Sequence, residues 1–162
     1  MITNDFVIEN DITVYAHWQI ISYTISYNLN GHGEQKAYGP TSYNIESSTI
    51  TPSNPSEIGW NFTSWTPSNI PSGSIGDKEF KANWKINTYT ITTSVTPSGS
   101  GTVTGGGTYE YGKTVTLTAT PNTNYEFIKW SDENTDNPRT ITVTEDKTYT
   151  AIFEDDFCII DT

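Results

Sequence analysis

The chain has one cysteine, one methionine and only eight basic side chains against nineteen acidic ones in 162 residues. Each scarcity excludes something. A lone Cys158 cannot close an intrachain disulfide or assemble a cysteine-based zinc site. The net charge of −11 repels phosphate backbones and anionic headgroups, so nucleic acid is not an expected partner. No apolar run approaches the length that spans a bilayer, and direct membrane insertion is not expected. The N-terminal Met1-Ile-Thr-Asn-Asp5 shows no basic region followed by an apolar stretch, so no signal peptide is legible there. Runs of Ala, Leu, Glu and Lys at helical spacing are missing as well. The surplus of carboxylates suits a β-rich surface that must stay soluble and apart from its own copies.

What is present is aromatic and β-branched. The 13% aromatic content, with recurring Thr, Tyr, Val and Ile, suits a pleated, half-buried surface. The expected class is all-β, or β-rich α+β with little or no helix, built from tandem small antiparallel modules.

A repeat sets the organisation. Asp11-Ile-Thr-Val-Tyr-Ala-His-Trp18, Asp77-Lys-Glu-Phe-Lys-Ala-Asn-Trp84 and Asp146-Lys-Thr-Tyr-Thr-Ala-Ile-Phe153 align without gaps, each with Asp first, Ala sixth and a large aromatic eighth. Their closing aromatics lie 66 and 69 residues apart. Tyr23-Thr-Ile25 returns 66 residues later as Tyr89-Thr-Ile91, and Trp60-Asn-Phe62-Thr-Ser-Trp65 returns 65 residues later as Tyr125-Glu-Phe127-Ile-Lys-Trp130. The expected division is a closing strand of a truncated preceding repeat over 1–19, a first full repeat over 20–86, a second, divergent one over 87–154, and a tail or the start of a next repeat over 155–162. Phe157-Cys-Ile159 is the candidate opening motif of that last piece.

Within a unit the apolar period is two, as strands with one wet face require. Val115, Leu117 and Ala119 alternate with threonines, and Tyr23–Tyr27 and Thr140–Thr144 alternate in the same way. Asn30-Gly31, Gly76-Asp77, Gly99-Ser-Gly101 and Gly105-Gly-Gly107 punctuate the strands as turns. The recurrent Asp11, Asp77 and Asp146 are expected to cap turns through neighbouring backbone N–H groups. The proline-rich stretches 51–56 and 66–73 read as connections rather than central strands. Phe62, Trp65 and Trp84, with Phe127, Trp130 and Phe153, are the expected core.

These motifs resemble a known family. Tyr23-Thr-Ile-Ser-Tyr-Asn-Leu-Asn-Gly31, Gly59-Trp-Asn-Phe-Thr-Ser-Trp65 and Phe80-Lys-Ala-Asn-Trp84 resemble the Listeria–Bacteroides repeat, the B-repeat type of internalins. Gly99-Ser-Gly-Thr-Val103, Tyr109–Pro121, Tyr125-Glu-Phe-Ile-Lys-Trp130 and Asp146–Phe153 resemble its divergent bacterial version. The resemblance implies a compact β-grasp-like module that serves as spacer or adhesive element in long bacterial surface proteins. Such repeats also occur in phage structural proteins, and the family brings no catalytic residues with it.

The residues themselves offer little chemistry, so no catalytic, cofactor-binding or metal-binding residue is assigned. His17 stands where the other repeats have Asn83 and Ile152, and His32 lies in a turn; neither has a nucleophile or a second histidine beside it. Asp132-Glu-Asn-Thr-Asp136-Asn137 has the oxygen-rich start of a calcium loop, but Asn137 replaces its glycine and Val143 its bidentate glutamate, so a hairpin connection explains it better. Gly99–Gly107 lacks the Gly-Lys-Ser/Thr ending of a phosphate loop. Asn61-Phe-Thr63 matches a glycosylation acceptor but overlaps the core aromatic motif. Tyr38, Tyr43, Tyr109 and Tyr111, outside that motif, form the candidate recognition surface for a protein or glycan partner.

The expected function is therefore a non-catalytic structural or adhesive tandem-repeat module of a bacterial extracellular or cell-surface protein. Its expected contacts include neighbouring repeats or copies of itself. The alternative is a virion component, such as a capsid decoration, head fibre or tail protein, which Met1 as a native start would favour.

Overall fold

The structure, a computed structural model, describes residues 16–156. Most of the first closing motif, Asp11 included, and the Phe157-Cys-Ile159 motif lie outside those residues. His17 and Trp18 are described and carry no strand.

Eleven strands and no helix make up the described chain. The first four are β1 (Tyr23–Asn28), β2 (Ser42–Tyr43), β3 (Trp60–Thr66) and β4 (Lys78–Ile86). They form one sheet in the order β2-β1-β4-β3. The remaining seven are β5 (Thr88–Thr96), β6 (Gly101–Thr104), β7 (Gly107–Glu110), β8 (Thr114–Pro121), β9 (Tyr125–Trp130), β10 (Arg139–Thr142) and β11 (Lys147–Asp155). Of these, β7-β5-β11-β9 repeat the first sheet strand for strand, and β10-β8-β6 form a second, three-stranded sheet.

The closing motif explains itself through its pairings. Ala82 lies opposite Trp65, and Ala151 opposite Trp130, so the methyl group leaves room for the indole across the strand. The eighth-position aromatic meets the mid-repeat phenylalanine: Trp84 opposite Phe62, Phe153 opposite Phe127. Between these two pairs both copies carry a register shift. This bulge brings the tryptophan and the phenylalanine, three residues apart, into tilted ring contact at 5.4 and 5.5 Å between centroids.

The aspartate of the motif does not cap a turn locally. Asp77 Oδ1 accepts the Thr24 N–H at 2.7 Å, and Asp146 Oδ1 accepts the Thr90 N–H at 2.6 Å. Each carboxylate ties its closing strand to the start of the opening strand, more than fifty residues away in sequence.

These two strands run parallel: Ile25–Asn28 pair with Lys78–Lys81, and Ile91–Thr96 pair with Lys147–Ile152. The other pairings are antiparallel. A two-residue period does not reveal this central parallel pair, because alternation reports only which face is wet.

Two separate apolar cores result, one within residues 25–82 and one within 91–153. Val115, Leu117 and Ala119 are buried while the threonines between them face outward, as the alternation requires. Trp65, Trp130 and Phe153 are buried as expected; Phe62, Trp84 and Phe127 pack against the cores half-buried. Asn30 and Gly31, at φ 53° and 85°, form the expected tight turn, with the His32 N–H donating to the Leu29 carbonyl at 3.2 Å.

Candidate functional site

Of the four tyrosines proposed as a recognition surface, two lie inside a core and two are half-buried. Tyr38 and Tyr43 are buried, 6% and 5% exposed, inside the first core. Tyr38 lies 5.6 Å from the Trp65 ring and 6.2 Å from Tyr27, and its hydroxyl donates to the Glu34 carbonyl. Tyr43 pairs with Tyr23 at 5.6 Å and donates to the Gly76 carbonyl. Tyr109 is half-buried against the second core, its hydroxyl bonded to the Gly105 carbonyl at 3.0 Å. The expectation failed for Tyr38 and Tyr43 because positions outside the repeated aromatic motif need not be outside a core.

The oxygen-rich stretch after β9 is a connection whose polar groups are already engaged. Asp132 Oδ1 accepts from Arg139 Nη1 at 2.6 Å, and Arg139 beside it holds the Asp132 carboxyl below its usual range. The Asn137 side chain bonds both the N–H and the carbonyl of Ala119 at 2.9 and 2.7 Å. The Trp130 indole N–H donates to the Asp136 carbonyl at 2.8 Å. The Arg139 guanidinium also lies 5.0 Å from the Tyr149 ring, a cation–π distance. Among the described residues no group of three or more His, Cys, Asp or Glu could hold a metal ion. His32 lies against Trp60, the ring centroids 3.9 Å apart, and 5.7 Å from the Trp84 ring. Asn61 is exposed, so its overlap with the aromatic motif does not bury it.

Sequence reasoning misses the place where the two sheets meet. β4 ends at Ile86 and β5 begins at Thr88, leaving Asn87 as the entire link. Both backbone groups of Asn87 are bonded, one to each side: its N–H donates to the Gly59 carbonyl at 2.9 Å, and its carbonyl accepts the Tyr111 N–H at 2.9 Å. The Tyr111 ring covers the Gly59 backbone. A Cβ on Gly59 would lie 2.0 Å from Tyr111 Cδ1, and φ there is +79°. Only glycine satisfies both demands, the left-handed backbone and the contact with the ring. Tyr89 supports Tyr111 edge-on at 6.4 Å. A shallow groove beside the link is lined by Trp60, Asn61, Ile86, Asn87 and Tyr89. A free peptide link would tumble; this one is held from both sides.

Two β modules on one plan, joined through a single bonded residue, define a tandem-repeat β protein. Residues 91–157 match the family model of the divergent InlB B-repeat domain. Two relatives come from Evansella cellulosilytica. One, named "Putative membrane protein", is 30% identical over 144 residues, covering 78% of this chain and 20% of the relative. The other, named "Putative Gly-rich membrane protein", is 30% identical over 92 residues, covering 52% of this chain and 10% of the relative. The chain thus spans a fifth or less of the length of these curated relatives. No solved structure matches it. Among the described residues no helix is long and apolar enough to cross a membrane.

Proposed function

We propose that this chain is a non-catalytic spacer from a bacterial extracellular or cell-surface protein, with residues 20–86 and 87–154 as its units. The observation that carries the reading is the Asn87 junction. A spacer must transmit position from one end to the other, so its units cannot hinge freely. A one-residue link with both backbone groups bonded and a tyrosine seated on the preceding glycine meets that requirement. Stacked units that touch mainly their neighbours gain length with copy number. The divergent B-repeat match over the second unit and the long, membrane-named relatives support the surface setting.

The spacer role is favoured over an adhesive one because Tyr38 and Tyr43 are committed to the first core. Contacts with a protein or glycan partner then belong to other domains that the spacer carries.

The test is residual dipolar coupling measured across the whole chain. One alignment tensor common to residues 23–86 and 88–155 is expected. Two unrelated tensors would refute the spacer reading. A panel of glycan, peptide and ester substrates should show no turnover, and any turnover that survives repurification would refute the non-catalytic part.

A further inference from the structure

The first module carries at its N-terminal end an apolar face for which the structure supplies a template. Six large apolar side chains are exposed among the described residues, and five of them, Trp18, Ile20, Ile21, Ile45 and Ile75, line this one face beside Tyr23. Isolated exposed apolar residues need no explanation, but a contiguous patch marks an interaction site.

The repeat shows what sits at the same positions in the second module. Tyr23 pairs with Tyr43 as Tyr89 pairs with Tyr109. Two residues beyond each partner stand Ile45 and Tyr111, so Ile45 holds the place of the side chain that covers Gly59. Ile21 likewise holds the place of Asn87, and Trp18-Gln-Ile20 enters the face as Trp84-Lys-Ile86 enters the junction. In the second module Asn87 and Tyr111 are engaged by the turn at Gly59, and Ile86 pairs with Trp60.

That turn is a recurring part of the module. Gly59 and Asn124 occupy equivalent places with φ of 79° and 69°. The next residue's N–H closes each turn, Trp60 to the Glu57 carbonyl at 3.2 Å and Tyr125 to the Asn122 carbonyl at 3.1 Å. Each turn carbonyl then accepts from the chain leaving the module: Gly59 from the Asn87 N–H, and Asn124 from the Asp156 N–H at 2.8 Å.

We propose that the face formed by Ile20, Ile21, Ile45 and Ile75 is the docking site for the glycine–aromatic turn of another module of this kind, placed immediately upstream in the same polypeptide. This rests on the spacer reading and extends it, because it makes the junction a repeating joint. A module upstream is favoured over a second copy of this chain on two grounds. A covalent approach through Trp18–Ile20 holds the incoming turn at high effective concentration. The free turn of a second copy presents Asn124, Asp155 and Asp156, which bring a Cβ and two carboxylates to an apolar face.

The experiment is an in-phase duplication of residues 21–86 within the full chain, so that Ile21 of the second copy follows Ile86 of the first. Residual dipolar couplings are read for all three units. The expected result is one common alignment tensor, and its loss at the new joint alone when Ile45→Asp is introduced in the second copy. Ile45 is 56% exposed, so the substitution spares the first core; Ile75→Asp, at 59% exposure, is the second variant and gives the same loss. Independent alignment across the new joint, with the Asn87 joint still rigid, overturns this inference and leaves the spacer reading standing. Independent alignment across both joints overturns both. Concentration-dependent self-association of the unduplicated chain that Ile45→Asp abolishes assigns the face to a second copy and also overturns the inference.

Discussion

The two modules share one sheet and differ in what covers it. In the second, β8 pairs with β10 from Thr114 to Leu117 and with β6 from Thr118 to Pro121. In the first, the corresponding layer has shrunk to a single bridge between Ile50 and Ile70. The cause lies in four prolines. Ile50-Thr-Pro52 keeps the buried–exposed–buried pattern of Val115-Thr-Leu117, yet Pro52 has no N–H to give a ladder, and Pro55, Pro67 and Pro71 break the later stretches of chain. The first module fills the vacated space with rings. Tyr27 stacks on Phe80 at 5.7 Å and meets Trp65 edge-on at 5.9 Å, while Tyr38 closes the far side. The second module has Leu117, Val143 and Ala119 in its core instead. One sheet plan therefore tolerates two coverings, provided the tryptophan at its centre keeps its place.

That tryptophan is where the largest effect is expected. Trp130 is fully buried, and Trp130→Ala should cost about 3–5 kcal/mol and unfold the second module. Trp65→Ala should do the same to the first. Paired circular-dichroism melts and one-dimensional NMR will show which module is lost. An unchanged melting temperature for Trp130→Ala would remove the second core as described.

Next in size is Gly59→Ala, which must strain a left-handed backbone and displace the Tyr111 ring. The expected cost to the first module is about 2–3 kcal/mol, together with loss of common alignment between the modules. Tyr111→Ala should loosen the joint and leave both cores folded. If Gly59→Ala melts at the wild-type temperature with the joint intact, the Gly59–Tyr111 contact is not what holds the units.

Amide hydrogen exchange tests the coverings directly. Amides of β8 bonded within the second sheet should exchange only on global opening of their module. Along residues 44–59, protection should be confined to the bonded N–H groups, chiefly Ile50 to the Ile70 carbonyl and Ser53 to the Tyr38 carbonyl. Uniform protection along that stretch would mean a ladder that the prolines do not allow.

Much of the shared sheet was legible in the sequence, because the residues that recur are those the sheet needs: the aspartate, the small alanine beneath the indole, and the aromatic pair. What belongs to one module alone was not. Tyr38 has no aromatic counterpart, Thr104 standing 66 residues on, so the repeat offered no sign that its ring fills a core. The aspartate's recurrence was visible but its partner was not, since Thr24 and Thr90 come close only after a parallel pairing that alternation cannot report. Gly59 and Tyr111 carried a faint signal: a glycine ahead of the aromatic motif, and a tyrosine two residues past a paired one.

The smallest expected effect separates the modules by pH. In the second, Asp132 is held below its usual range chiefly by its hydrogen bond to Arg139; in the first, Asp77 is held down chiefly by the Thr24 backbone N–H. A carboxyl whose folded pKa is depressed contributes stability above its unfolded value, near 3.9 for aspartate, and loses it as pH falls through the folded value. Both modules should therefore weaken below about pH 4, and the cause differs between them. Arg139 is 13% exposed at its side chain and Asp132 35%, so the pair is partly screened. Arg139→Gln should cost about 1–2 kcal/mol at neutral pH, with less cost once Asp132 is protonated. Asp77→Asn should flatten the acid limb of the first module and leave that of the second unchanged. Melting curves from pH 7 to pH 2, followed by NMR signals from each module, will resolve the two limbs; one shared limb that ignores both substitutions would show that neither carboxylate sets it.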